Sequence, residues 1–228
     1  MASSSGAVNR PAHNAPVLVI GLGRFGASTA EQLVKQGREV LAIERDRNLV
    51  QKWSGVLTHV VEADATNIDA LRQLGAQEFS SAVVGVGTSI ESSVLITVNL
   101  VDLGIEHLWV KAITPSHGKI LTRIGANHVI YPEADAGVRA AHLVSGRMLD
   151  FIEFDDDFAI VKMYPPKPIR GKNLTESGVR SRHNVTVVGV KSPGKPFTYA
   201  TEKTVVSNHD LIIVSGTEGD IEKFAALE

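Results

Sequence analysis

Between a short apolar run, Val17-Leu18-Val19-Ile20, and a segment of helical period lies the loop Gly21-Leu22-Gly23-Arg24-Phe25-Gly26. No other feature of the chain restricts its folding as much. The run is continuous and largely β-branched, as for a parallel strand buried on both faces. A G-x-G-x-x-G loop placed directly between such a strand and a helix is built to receive a phosphate group. Gly21 permits the tight turn, Gly23 lets a pyrophosphate approach the backbone, and Gly26 lets helix and strand pack closely. The helix N-terminus then offers unpaired N–H groups and a partial positive charge to the anion.

The alternation begun there continues. Strands are expected at residues 17–20, 39–43, 58–62, 81–86, 107–113 and 129–131, and helices at 24–36, 47–54, 68–74, 91–103 and 115–124. Glycines 37, 75, 104 and 125 stop helices, and Thr88-x-x-Glu91 reads as a capping box. Strands and helices in this order predict an α/β fold, a Rossmann-type doubly wound parallel sheet over residues 16–133. The pattern then changes. Residues 134–149 read as one helix within a crossover linker (134–150), and residues 151–228 as a small α+β module with antiparallel pairing. Within it we expect a hairpin over 151–163 turning at Asp155 to Asp157, a turn cluster at Pro165 to Pro168, and a helix at 174–182. Strands at 185–190 and 210–214 and a last helix after Gly219 complete it. A module of about 75 residues is near the low end for independent stability, which suggests a partner such as a second copy. Residues 1–15 are small and polar and are expected to form a disordered leader.

Composition narrows the function. With no cysteine, disulfides, thiolate nucleophiles and cysteine metal sites are excluded. A formal charge of −2 with interspersed signs argues against a nucleic-acid partner. The leader has no apolar run of the kind a secretory signal needs. The most apolar later stretch, residues 92–105, is broken by Asn99 and Asp102 and falls short of the roughly 20 residues that span a bilayer. Any membrane role is therefore expected to come through a partner. None of the eight histidines pairs with another at helical ligand spacing, so no histidine metal site is expected. Asp155 to Asp157 lacks the spaced ligands of a calcium loop and reads as a solvated turn. Trp53 and Trp109 read as core or interface packing.

Glu44 ends the second strand, about 20 residues beyond the glycine loop, where an acid either accepts hydrogen bonds from a ribose diol or is a solvated strand cap. Arg24 lies inside the loop; it is either a bidentate ligand for a terminal phosphate or a solvated first-turn arginine. Asp64 follows the third strand and either meets the adenosine or caps the next helix. Lys111 and Glu133 sit at or just past the ends of later strands. They either reach phosphates, Glu133 through a divalent cation such as Mg²⁺, or are surface charges.

Together the residues carry a resemblance. Gly21 to Gly26, Glu44-Arg45-Asp46, Asp64-Ala65-Thr66, and Lys111 followed by Gly125-Ala126-Asn127 and Tyr131-Pro132-Glu133 resemble, in order, the regulator-of-K⁺-conductance (RCK) family. The chain is most similar to the Ktr/Trk-type cytosolic regulatory subunits of bacterial potassium uptake systems, over nearly everything after Pro16. The resemblance implies that ATP, ADP or NAD(H) is bound in the Rossmann crevice without turnover. It further implies homodimers, an octameric ring, and docking on an integral membrane K⁺-translocating subunit at the inner face of the cell membrane. Carried over, Gly21, Gly23 and Gly26 hold phosphates, Phe25 lies with them among the nucleotide-binding residues, and Arg24 reads the terminal phosphate. Glu44 holds the ribose, with Arg45, Asp64, Ala65, Thr66 and Lys111 around the nucleotide. Glu133 helps bind its divalent cation, and the helix after it swaps between dimer partners.

In such relatives the C-terminal module can also bind cyclic di-AMP. The matching residues are Leu174, Arg180, Thr186 and Val187, with Thr186 standing where relatives carry an asparagine. A dimerising module without ligand is the competing reading. For the whole chain the alternatives are an NAD-dependent oxidoreductase or an NADH redox sensor, because fold alone does not decide function. The C-terminal module is too small for a substrate domain, so the expectation is a sensor that is not an enzyme.

Overall fold

The computed structural model describes residues 14–144, 146–154 and 157–228. Most of the expected leader, along with Asp155 and Asp156, lies outside them. Two compact units meet between Glu133 and Ala134.

The first unit alternates strand and helix: β1 (Val17–Ile20), α1 (Arg24–Lys35), β2 (Val40–Glu44), α2 (Arg47–Trp53), β3 (His59–Glu62) and α3 (Ile68–Gln73). It continues with β4 (Ser81–Val84), α4 (Ile90–Asp102), β5 (His107–Lys111), α5 (Pro115–Arg123) and β6 (His128–Ile130). The strands are parallel in the order β3-β2-β1-β4-β5-β6, the doubly wound arrangement that places a ligand crevice where the order reverses, between β1 and β4. Both faces of β1 are buried. Leu18 and Ile20 pack into one core with Val84, Leu100 and Leu108, and Val17 and Val19 into another with Val40 and Ala42. Each such side chain contributes about 1.5–3 kcal/mol by leaving water, which is why a continuous apolar run settles here. Ile20 lies level with Ile43 and with Val84, so the loops leaving β1, β2 and β4 gather at one edge.

Helix boundaries differ from the expectations at identifiable caps. The cap of α4 is Ser89, whose hydroxyl accepts the N–H of Ser92 at 3.1 Å, and not Thr88. Asn67, not Asp64, caps α3 by accepting the N–H of Asp69 at 2.9 Å.

In the second unit the helix expected over 134–149 is shorter and starts earlier, as α6 (Pro132–Val144), and Met148 already opens a strand. The strands are β7 (Met148–Phe154), β8 (Phe158–Met163), β9 (Thr186–Lys191), β10 (Thr198–Tyr199) and β11 (Leu211–Thr217). They form an antiparallel sheet in the order β10-β9-β11-β8-β7. The helix expected over 174–182 is split into α7 (Leu174–Ser177) and α8 (Val179–His183) by Gly178, whose φ of +59° ends the first. Helix α9 (Glu218–Ala225) packs Ile221 and Phe224 into the core of this unit. Among the described residues no helix is long and apolar enough to cross a membrane.

Candidate functional site

The glycine loop is held open by contacts between backbones. A Cβ on Gly26 would lie 1.9 Å from the carbonyl oxygen of Gly21, and one on Gly85 would lie 3.0 Å from both that oxygen and the Gly26 Cα. Gly21 itself has φ +87°, a conformation that side chains resist. Gly23, by contrast, faces open space and is the N-cap of α1. No side chain caps that helix and no acid stands in its first turn, so its N–H groups and dipole face the crevice without a competing anion.

Gly21, Gly23, Glu44, Arg45, Asp64, Ala65 and Thr66 line one crevice of about 320 Å³ at the carboxyl edge of the sheet. Within it the Glu44 carboxylate is fixed by backbone donors. Oε2 accepts the N–H of Leu22 at 2.6 Å, and Oε1 accepts those of Arg45 at 2.7 Å and Asp46 at 2.9 Å. A carboxylate offers about four acceptor positions, so one remains on Oε2 for a hydroxyl donor. Asp64 accepts from the Thr66 hydroxyl at 2.7 Å and the Thr66 N–H at 2.9 Å. These bonds hold its carboxyl below the usual carboxylate range, with a smaller contribution from the Arg45 charge.

Arg24, Phe25, Gly26, Lys111 and Glu133 are not among the residues that line this crevice. Arg24 is exposed at the first position of α1. Phe25 packs against the core on the α1 side of the sheet, with the carbonyl of Phe25 accepting from Thr29. Lys111 Nζ stands 2.5 Å from Glu133 Oε1, and its terminal atoms lie over Gly87 in the crevice wall. Glu133 is consequently held below its ordinary pKa, first by the Lys111 hydrogen bond and least by the more distant Arg24 charge.

Three contributors escaped the sequence reading. Gly85 closes the glycine contact, and a Gly85-x-Gly87 pair leaving a strand was the available signal. Gly87, Thr88, Ser89 and Ser92 form the wall opposite Glu44. Asn99, read only as a break in an apolar stretch, donates its amide to the carbonyls of Ala65 at 3.3 Å and Thr66 at 2.9 Å, fixing the loop after β3. No sequence signal marks that contact.

The second unit has a cavity of about 680 Å³ whose walls include Leu174, Arg180, Thr186 and Val187. Arg180 Nε donates to Thr186 Oγ1 at 3.2 Å, so the guanidinium is held at the rim. The one Tyr-x-x-x-Lys spacing of the chain, Tyr199 and Lys203, falls on β10 and the turn after it, outside the Rossmann crevice. It therefore offers no acid–base pair there.

Residues 17–132 match the TrkA-N domain model and residues 158–228 the TrkA-C domain model. The chain is 33% identical over 207 residues to Ktr system potassium uptake protein C of Bacillus subtilis, covering 90% of this chain and 94% of that one. It is 28% identical to Ktr system potassium uptake protein A of Vibrio alginolyticus, over 88% of this chain and 91% of that one. Among solved structures, the GsuK RCK domain superposes with a TM-score of 0.65 at 19% identity, over 93% of this chain and 48% of that one. The GsuK channel bound to NAD gives 0.63 at 19% identity, over 93% of this chain and 40% of that one. This chain thus spans about half or less of those structures, and the likeness to them is one of fold.

Proposed function

The chain belongs to the TrkA-N/TrkA-C family that includes the Ktr potassium uptake proteins, and we propose on that premise that it is a nucleotide-sensing regulatory subunit gating a membrane potassium transporter or channel. The observation that carries this reading is the Glu44 carboxylate, fixed by three backbone donors beside a glycine loop and an uncapped helix N-terminus. That arrangement accepts a ribose hydroxyl and a phosphate about one nucleotide apart. The ligand is ATP or ADP, with NAD(H) as the alternative, since each presents a free ribose 2′-hydroxyl. Glu133 supports a divalent cation such as Mg²⁺ on the nucleotide, because it already holds one cation, the Lys111 ammonium, that a metal would displace. The subunit works as a homodimer within an octameric ring, at the inner face of the cell membrane, on an integral membrane K⁺-translocating partner. The nucleotide is bound and not turned over.

Thermal unfolding of the purified chain with ATP, ADP and NADH tests this. A specific ligand at a hundredfold excess over its Kd adds about 2.7 kcal/mol to stability. Absence of a Tm rise with all three overturns the reading.

A second ligand, cyclic di-AMP, is favoured by the 680 Å³ cavity with Arg180 held at its rim, a volume within the range of small-molecule sites. Arg180 takes a phosphate, and Thr186 offers a hydroxyl where relatives offer an amide. Calorimetry with cyclic di-AMP, repeated on Arg180→Ala, checks it. No heat with the native chain leaves a dimerising module without ligand.

A further inference from the structure

We infer that His142, Glu218 and Glu222 form a binding site for a divalent transition-metal ion of the zinc type, which joins the end of α6 to the start of α9. The site lies wholly within the second unit and is separate from both the nucleotide crevice and the Arg180 cavity.

One ligand atom from each of the three residues lies within 4.8 Å of the other two. His142 Nε2 stands 3.3 Å from Glu218 Oε1, and Nδ1 stands 3.9 Å from Glu222 Oε1. Four ligands placed tetrahedrally about 2.0–2.1 Å from zinc sit roughly 3.3–3.4 Å apart, so the first pair is already at coordination spacing. Glu218 and Glu222 are four residues apart on α9 and share one face, the spacing by which a helix offers two ligands to one ion. The Glu222 side chain is 59% exposed and free to turn inward, whereas that of His142 is only 14% exposed.

The imidazole is also set in advance. Its ring lies parallel to that of Phe151, with centroids 3.9 Å apart and planes 13° from parallel. Rotation to present another edge would break that stack.

The donor set selects the class of ion. Calcium and magnesium favour shells made of oxygen, whereas an imidazole nitrogen with carboxylates suits zinc and its neighbours. Three protein ligands leave a fourth position for water. Sequence spacing between histidines offers no trace of such a site, because it uses one histidine and two acids some 80 residues away along the chain.

The test uses the full chain, stripped of metal by a chelator and titrated with Co²⁺ at neutral pH. A saturable visible d–d absorption band at one ion per chain is expected, displaced by Zn²⁺, with a rise in Tm on Zn²⁺ addition. His142→Gln and Glu222→Gln should each weaken uptake by about tenfold or more while the metal-free variants keep the circular dichroism spectrum and urea-unfolding midpoints of the metal-free native chain, which shows that the second unit is folded. No saturable band, or a band of native strength in either variant, overturns the proposal. A native band in His142→Gln would place the metal on one of the other seven histidines.

Discussion

Glu44 Oε2 accepts the backbone N–H of Leu22 at 2.6 Å, tying the end of β2 to the middle of the glycine loop. One carboxylate therefore shapes the glycine loop and, on the proposed function, also presents an acceptor to ribose. Glu44→Ala should weaken ATP, ADP and NADH by similar factors, about 10–100-fold, as loss of hydrogen bonds to a charged group implies. Free of ligand, the variant should lose about 1 kcal/mol of stability, because water replaces the acceptor at donors that are only part-buried. Calorimetry with the three nucleotides checks it. Strong loss for one nucleotide with the others intact would place the ribose elsewhere.

Two glycines of the same loop should fail in different ways. A methyl on Gly26 meets the Gly21 carbonyl at 1.9 Å, a contact between backbones that nothing flexible can relieve. Gly26→Ala should therefore destabilise the first unit by more than about 3 kcal/mol, beyond the usual cost of overpacking. Gly23 has open space, so Gly23→Ala should change stability by no more than roughly 1 kcal/mol, the worth of a helix cap. It should nonetheless lose most nucleotide affinity, because the methyl stands where a phosphate must approach. Urea unfolding and calorimetry on both variants separate the roles; full binding by Gly23→Ala would remove the loop from the ligand site.

The first unit was legible because its signals are local. A buried parallel strand, a glycine loop and a helix stop each occupy a few adjacent residues, and their order alone leads to the 3-2-1-4-5-6 sheet. The crevice was half legible. Glu44 and Asp64 lie at strand ends, where topology places ligands, but Gly85 and Asn99 act through contacts with residues 33–64 positions away. The second unit was harder to read. Helix propensity over 134–149 continues across Met148, yet pairing of Met148–Phe154 with β8 gives those residues strand partners that an isolated helix lacks. The two-residue β10 is too short for any periodic signal and exists through its pairing with β9.

On the proposed function, Arg24, Lys111 and Glu133 make a charge set whose members answer to different parts of a nucleotide. Lys111 is engaged by Glu133, whereas Arg24 projects from the first position of α1. The role proposed for the arginine is to bind the γ-phosphate of ATP, a group that ADP lacks. Arg24→Ala should reduce ATP affinity about tenfold or more while leaving ADP nearly unchanged, as expected for one lost charge-assisted contact. Affinity measured for both nucleotides decides the matter, and equal losses would show that Arg24 only shapes the loop.

The steepest dependence on mild acid should come from His117, outside the crevice. Its side chain is buried at 1% exposure on α5, Nδ1 accepts the Ile113 N–H at 3.4 Å, and Nε2 has no partner among the described residues. Burial lowers its pKa from the ordinary 6.5, since a charged ring there would have no water and no anion. In the unfolded chain the ring takes up a proton near pH 6.5, and in the folded chain it does so only at lower pH. The stability it contributes is complete above pH 6.5 and is lost as pH falls from there through the lower folded value. One such proton gives a slope of at most about 1.4 kcal/mol per pH unit. His117→Gln, which keeps an acceptor for Ile113, should flatten the urea-unfolding profile between neutral pH and pH 5.5 relative to the native chain. Asp64 and Glu133 add little in that window, because their contributions are lost as pH falls through the ordinary carboxylate values of 3.8 and 4.5 and on to the lower folded ones. An unaltered slope in the variant would mean that other histidines carry the acid response.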